Sequence, residues 1–199
     1  AEAAGLLKPG DTIVEATSGN TGNALSMIAA VKGYKMMVMM PEGYTNERVR
    51  ISRGFGAEIK FIGHFQVNDA RAAAIKQGQQ PGFYCPAQFD NEWNVEENRE
   101  WLGREIIAQL DNAGIKIDAI VQGVGTGGTL IGVGQALRKW HNPNIKIFAM
   151  EPTESRTIEC CIVADHKIEG ISDGFIPTIY QRHKKEVDGI ISVDGNIAI

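Results

Sequence analysis

Ile117-Asp-Ala-Ile-Val121, Gln122, Gly123-Val-Gly125-Thr126-Gly127-Gly128-Thr129 and Leu130 to Trp140 read as strand, turn and helix in unbroken succession. The strand is apolar enough for burial on both faces, as parallel sheets require. Four glycines within six positions let the backbone wrap closely around a ligand, with Thr126 and Thr129 adding hydroxyls. A helix N-terminus behind such a turn makes it a phosphate cradle in physical terms. A P-loop would end in Lys and Ser/Thr, which this turn lacks, so ATP hydrolysis is disfavoured. Gly123, Gly125 and Gly128 also satisfy G-x-G-x-x-G, and Glu151 closes the next strand about where a ribose-binding acid would lie. A nicotinamide-dependent oxidoreductase therefore competes with a phosphate-only site.

A second turn of the same kind lies upstream. Thr12 to Glu15 is a short strand, and Asn20 to Lys32 a helix stopped by Gly33. Between them stands Thr17-Ser18-Gly19-Asn20-Thr21-Gly22. Its glycines and hydroxyls, set at a helix start, suit a carboxylate or another small anion. A plain strand–helix turn capped by Ser or Asn fits these residues equally well.

Strand and helix signals alternate along the rest of the chain. Lys35 to Met39 is a strand ended by Pro41, Thr45 an N-cap for a helix to Arg53, Glu58 to Ile62 a strand, Val67 to Gln77 a helix and Phe83 to Cys85 a short strand. The longest helix is expected over about Asn94 to Leu110, with Val95, Leu102, Ile106 and Leu110 on its apolar face and Trp93 and Trp101 packing against it. Ile145 to Met150 is a strand, Glu151 to Glu186 mostly loop, and Ile190 to Ile199 a strand followed by the start of a helix. This is an α/β pattern with two lobes of mostly parallel sheet, dividing in the loop near Pro86 to Trp93.

The 199 residues, 43% hydrophobic and 22% charged, can bury one core or two small lobes. A formal net charge of -4 without a basic stripe argues against nucleic acid. No apolar run is long enough to span a bilayer. The three cysteines, Cys85, Cys160 and Cys161, form neither a disulfide framework nor a zinc motif, so no metal is expected and a reducing cytoplasm fits best. His64, His141, His166 and His183 lack ligand spacing. Ala1 to Leu7 reads as a helix tail, and both chain ends look like interruptions.

The turns and their order resemble the cysteine synthase and cystathionine β-synthase family of pyridoxal-phosphate enzymes. The resemblance runs nearly end to end: Leu7-Lys-Pro-Gly10, Thr17 to Gly22, Met40-Pro-Glu42, Glu47-Arg48, Gly56-Ala-Glu58, Gln88-Phe-Asp-Asn91, Gly123 to Thr129, Glu151 to Ser155 and His166 to Pro177. It implies a tryptophan-synthase-β-like fold (fold type II), incomplete at both ends. Residues 1–92 would form a substrate-carboxylate lobe and residues 93–199 a cofactor-phosphate lobe. It implies pyridoxal 5'-phosphate as cofactor, with Gly125, Thr126, Gly127, Gly128 and Thr129 on its phosphate and Asn20 on its ring hydroxyl. Thr17, Ser18, Gly19 and Thr21 would hold the amino-acid carboxylate with Gln88 assisting, and Gly170 would face the substrate amine. The implied reaction is β-replacement, L-cysteine from O-acetylserine or a related activated serine and sulfide, in a homodimer. The family's Schiff-base lysine would lie upstream of Ala1, so the isolated chain is expected to be inactive. A non-catalytic binding lobe is the remaining alternative. Asp173 departs from the small uncharged residue common at that position. It either adds a carboxylate to the cleft or caps a turn, and turn capping is the expectation.

Overall fold

The computed structural model describes residues 1–17, 19–43, 46–64 and 67–198. They form two compact units, Ala1–Ala87 and Gln88–Ile199.

The first unit is built on a parallel sheet of β1 (Thr12–Ala16), β2 (Lys35–Glu42), β3 (Glu58–His64) and β4 (Phe83–Tyr84), in the order β3-β2-β1-β4. Parallel neighbours need crossovers, supplied by α1 (Asn20–Lys32), α2 (Asn46–Gly54) and α3 (Asn68–Gly78). The interior strand β2 explains its unusual sequence. Side chains alternate, so Met36, Val38 and Met40 enter one core with Ile13, Ala29 and Val49, while Met37 and Met39, also buried, point the other way. α1 ends at Gly33, whose φ of 78° lets its N–H close on the Ala29 carbonyl.

In the second unit β5 (Ala119–Gly123), β6 (Lys146–Pro152) and β7 (Gly189–Val193) form a parallel sheet in that order. Helix α4 (Trp93–Glu97) passes through a π-helical turn (Asn98–Leu102) into α5 (Gly103–Ala113), and this rod packs on α6 (Gly128–Trp140). Two short helices follow, α7 (Thr157–Cys160) and α8 (Thr178–His183). The core joins Val95, Val124, Leu130, Ile131, Ile147 and Ile179, and beside it Ile107, Val133, Leu137 and Ile145.

The structure departs from the sequence reading at several points. β2 continues through Pro41, because the ladder to β3 shifts register between Met40 and Glu42, where a missing N–H is tolerated. The long helix contains a π turn, which widens one step of its buried face: Val95, Asn98, Gly103 and Ile107 are buried, and the second and third stand five positions apart. Leu102, Ile106 and Leu110 are only partly buried, and Trp101 is 74% exposed instead of packed. β5 is half-buried: Ile120 faces the core, while Ala119 and Val121 on the opposite face are exposed. The Glu151–Glu186 stretch holds α7 and α8. The Thr45 cap lies outside the described residues.

Leu137 has no exposed surface and lies in the cluster that joins α5, α6 and β5. Leu137→Ala should cost about 2–5 kcal/mol of unfolding free energy. Urea denaturation checks this; a loss well under 1 kcal/mol would contradict the packing described.

Candidate active site

In the first unit the chain runs outward from β1 to β2 to β3, then returns to place β4 on the other side of β1. Strand order therefore reverses at β1, and ligands of open α/β sheets bind beyond the carboxyl ends of strands at such a point. Thr17 and Gly19 to Gly22 occupy that position. Thr17 is buried at the end of β1, where its N–H extends the ladder to the Met39 carbonyl at 3.0 Å. Its Oγ1 accepts the Gly19 N–H at 3.0 Å, so the side chain shapes the turn. A Cβ on Gly22 would stand 2.6 Å from Thr17 Cγ2, which makes glycine obligatory beneath that hydroxyl. Asn20 is exposed at the head of α1, whose first turn has no acidic residue. The Arg48 side chain lies beside Gly19. The first N–H groups of any helix lack a carbonyl four residues back, so the site offers backbone donors and positive potential together. Thr21 follows Asn20 in the first turn of α1; Ser18 lies outside the described residues.

In the second unit Gly123 to Thr129 links β5 to α6. Gly127 caps α6 with φ at 88°, a left-handed conformation that favours glycine. A Cβ on Gly125 would come within 2.5 Å of the Gly170 carbonyl oxygen, so the Gly170 loop lies directly against the turn. That loop is pinned by the Ser172 N–H on the Val124 carbonyl at 3.0 Å and the Ser172 hydroxyl on the Ser155 carbonyl at 2.8 Å. Thr126 Oγ1 accepts from Gly128 N at 3.2 Å and from Asn94 Nδ2 at 2.9 Å. No acidic residue stands in the first turn of α6. Glycine backbone, threonine hydroxyls and a helix N-terminus thus meet in one cradle, which fits a phosphate group.

The turn is backed by α8, where Tyr180 packs against Gly127. α8 is strapped to the segment before α4. Thr178 donates to Asp90 at 2.6 Å, Arg182 donates to the Asp90 carbonyl at 2.7 Å and to Glu92 at 2.9 Å, and Ile179 N–H meets the Phe89 carbonyl. His183 bridges Glu186 and Glu92 at 2.6 and 2.9 Å. Burial disfavours its charge, but hydrogen bonds to the two carboxylates prevail and raise its pKa. Scattered histidine spacing in the sequence gave no sign of this.

The ribose-binding role considered for Glu151 is not available. Its carboxylate is buried and accepts the α7 N–H groups of Ile158 at 2.7 Å and Glu159 at 3.1 Å. Asp173 does not cap a turn: among the described residues it accepts no hydrogen bond, and Ser172 does the tethering. Burial holds its carboxyl above the ordinary aspartate range, partly offset by His166. No group of three or more His, Cys, Asp or Glu side chains that could hold a metal occurs among the described residues. No helix there is long and apolar enough to cross a membrane.

Parallel sheets with glycine-rich turns at their carboxyl edges place the chain among the α/β proteins whose helix heads suit an anionic ligand. The chain belongs to the family described as pyridoxal-phosphate dependent enzyme, which it matches over residues 1–199. It is 39% identical to the O-ureido-L-serine synthase of Streptomyces lavendulae, covering 98% of this chain and 59% of that protein. It is 40% identical to a cysteine synthase of Staphylococcus aureus, covering 100% of this chain and 63% of that one. A hydrogen sulfide-producing enzyme from Fusobacterium nucleatum superposes with a TM-score of 0.88 at 37% identity, over 98% of this chain and 58% of the other. The chain thus spans about three-fifths of the length of these relatives.

The Asp173 environment sets a pH dependence. A carboxyl with a raised folded pKa keeps its proton to higher pH in the folded state than in the unfolded one. Stability then falls as pH rises from the ordinary aspartate value through the raised one, and stays lower above it. Asp173→Asn should melt at a higher temperature than the parent at pH 7, with the difference shrinking as pH drops toward 4. An equal or lower melting temperature at pH 7 would contradict the assignment.

Proposed function

We propose that this chain supplies the substrate-carboxylate and cofactor-phosphate grips of an enzyme that makes L-cysteine from O-acetylserine and sulfide by β-replacement. Membership of the pyridoxal-phosphate dependent family supports this, as do relatives named cysteine synthase. The observation that carries the reading is the Gly123–Thr129 cradle, with its glycine backbone against the Gly170 carbonyl and its hydroxyls at the head of α6.

In this reading Gly125, Thr126, Gly127, Gly128 and Thr129 hold the phosphate of pyridoxal 5'-phosphate. Asn20 hydrogen-bonds the ring hydroxyl. Thr17, Ser18, Gly19 and Thr21 hold the carboxylate of the amino acid, with Gln88 assisting, and Gly170 lies by the substrate amine. When bound, the cofactor supplies an electron sink for the bonds at the amino acid's α-carbon. The chain's part is to bind and orient. Thr17 Oγ1 keeps the Gly19 N–H occupied, so a carboxylate is left the donors at the head of α1, with the Arg48 charge nearby. A homodimer in a reducing compartment belongs to the same reading, and Cys160 and Cys161, exposed and in no disulfide, suit it.

Steady-state assay of the full-length protein, loaded with cofactor and given O-acetylserine and sulfide, should yield cysteine. Gly22→Ala should push Thr17 off the Gly19 N–H, unshape the turn and misplace the donors at the head of α1, and so raise KM for O-acetylserine about ten-fold, the scale of one hydrogen bond to a carboxylate lost through that misplacement. Its affinity for the cofactor should stay near that of the parent. Absence of cysteine formation, together with tight binding of a nicotinamide dinucleotide, would overturn the proposal.

A further inference from the structure

We infer that Asn94 is a positioning residue that fixes the Thr126 hydroxyl as a hydrogen-bond donor to the cofactor phosphate. The inference rests on the phosphate reading of the Gly123–Thr129 turn and extends it to a residue outside that turn.

The orientation of the Asn94 amide follows from its neighbours. One end lies 3.0 Å from the backbone carbonyl oxygen of Gln88, which can only accept, so that end is Nδ2. The same Nδ2 lies 2.9 Å from Thr126 Oγ1 and donates its second hydrogen there. The opposite end is fixed as well. Asn98 Nδ2 donates to the Asn94 carbonyl at 2.7 Å and to Asn94 Oδ1 at 3.0 Å. Asn98 is buried one helical turn after Asn94, so the ordinary four-residue step sets this amide against Asn94. Asn94 Oδ1 in turn lies against the Cα of Gly128, where any Cβ would collide with it.

The consequence falls on Thr126. A hydroxyl has two lone pairs and one hydrogen. The Thr126 oxygen receives Asn94 Nδ2 and the Gly128 N–H, so both acceptor positions are filled. Its hydrogen remains, and no acceptor for it occurs among the described residues. A group held in that state recognises a ligand that only accepts, and a phosphate dianion is such a ligand. Donation runs in one direction, Asn98 to Asn94 to Thr126, and each bond polarises the next. The same amide also fixes the backbone of Gln88, which the proposed function assigns to the substrate carboxylate.

The test compares equilibrium dissociation constants for pyridoxal 5'-phosphate and for pyridoxal, measured by equilibrium dialysis in full-length protein. The ratio of the two isolates the phosphate contribution from the rest of the cofactor. Thr126→Val should lose about ten-fold of the parent's preference for the phosphorylated compound. Asn94→Leu should lose a similar factor, and Asn94→Asp, whose carboxylate would capture the Thr126 hydroxyl, at least as much. The double variant Asn94→Leu with Thr126→Val should lose little beyond either single change, because Asn94 acts through Thr126. Asn98→Leu, which leaves Asn94 and Thr126 in place, should give a smaller loss in the same direction and serves if the Asn94 variants do not fold. If the Asn94 and Asn98 variants keep the full preference while Thr126→Val loses it, the inference fails and the phosphate reading stands. Losses that add in the double variant also overturn the inference. If Thr126→Val keeps the full preference, the phosphate reading itself fails.

Discussion

Every parallel strand must be followed by a crossover, and a helical crossover leaves its first N–H groups without partners at the carboxyl edge of the sheet. That constraint governs both units. It puts the heads of α1 and α6 where β1 and β5 end, and it makes each turn electropositive before any charged side chain is added. The sequence then refines the two sites differently. The first turn uses a buried threonine to satisfy one amide and shape the loop, with Arg48 beside it. The second relies on glycines that admit the Gly170 carbonyl and on a hydroxyl oriented from a neighbouring helix.

The second turn depends on more than its own residues. The rod from α4 to α5 carries Asn94 and Asn98, and α8 covers Gly127 through Tyr180. The α8 strap is electrostatic, with His183 shared by Glu92 and Glu186 and Arg182 set on Glu92. Hydrogen bonds from His183 and Arg182 hold the Glu92 carboxyl below its usual range, although burial alone would raise it. The loop of Gly170 and Ser172 is held by the Ser172 N–H and hydroxyl and not by Asp173, a half-buried carboxyl that accepts no hydrogen bond among the described residues.

Much of this was legible in the residues themselves. α1 and α6 stood out because helical spacing runs between glycine-rich starts and, for α1, a left-handed glycine stop. β2 read correctly as a strand, though not its passage through Pro41, which depends on the register of β3. The turns themselves were visible as glycine and threonine clusters. Features set by tertiary contacts were not. The π turn closes where the Gly103 N–H meets the Asn98 carbonyl five positions back, and sequence periodicity cannot register one wider step. α7 forms beneath the Glu151 carboxylate, which looked like a ribose ligand by position alone. Asn94 looked like an ordinary helix-start residue, since its partners Gln88 and Thr126 are 6 and 32 positions away.

The most direct measurement is a crystal structure of the protein with pyridoxal 5'-phosphate bound. Phosphoryl oxygens should lie within about 3 Å of Thr126 Oγ1 and of the donors at the head of α6. Asn94 Nδ2 should still face Thr126 in that complex. A phosphoryl group bound elsewhere, with the Gly123–Thr129 turn empty, would contradict the central claim.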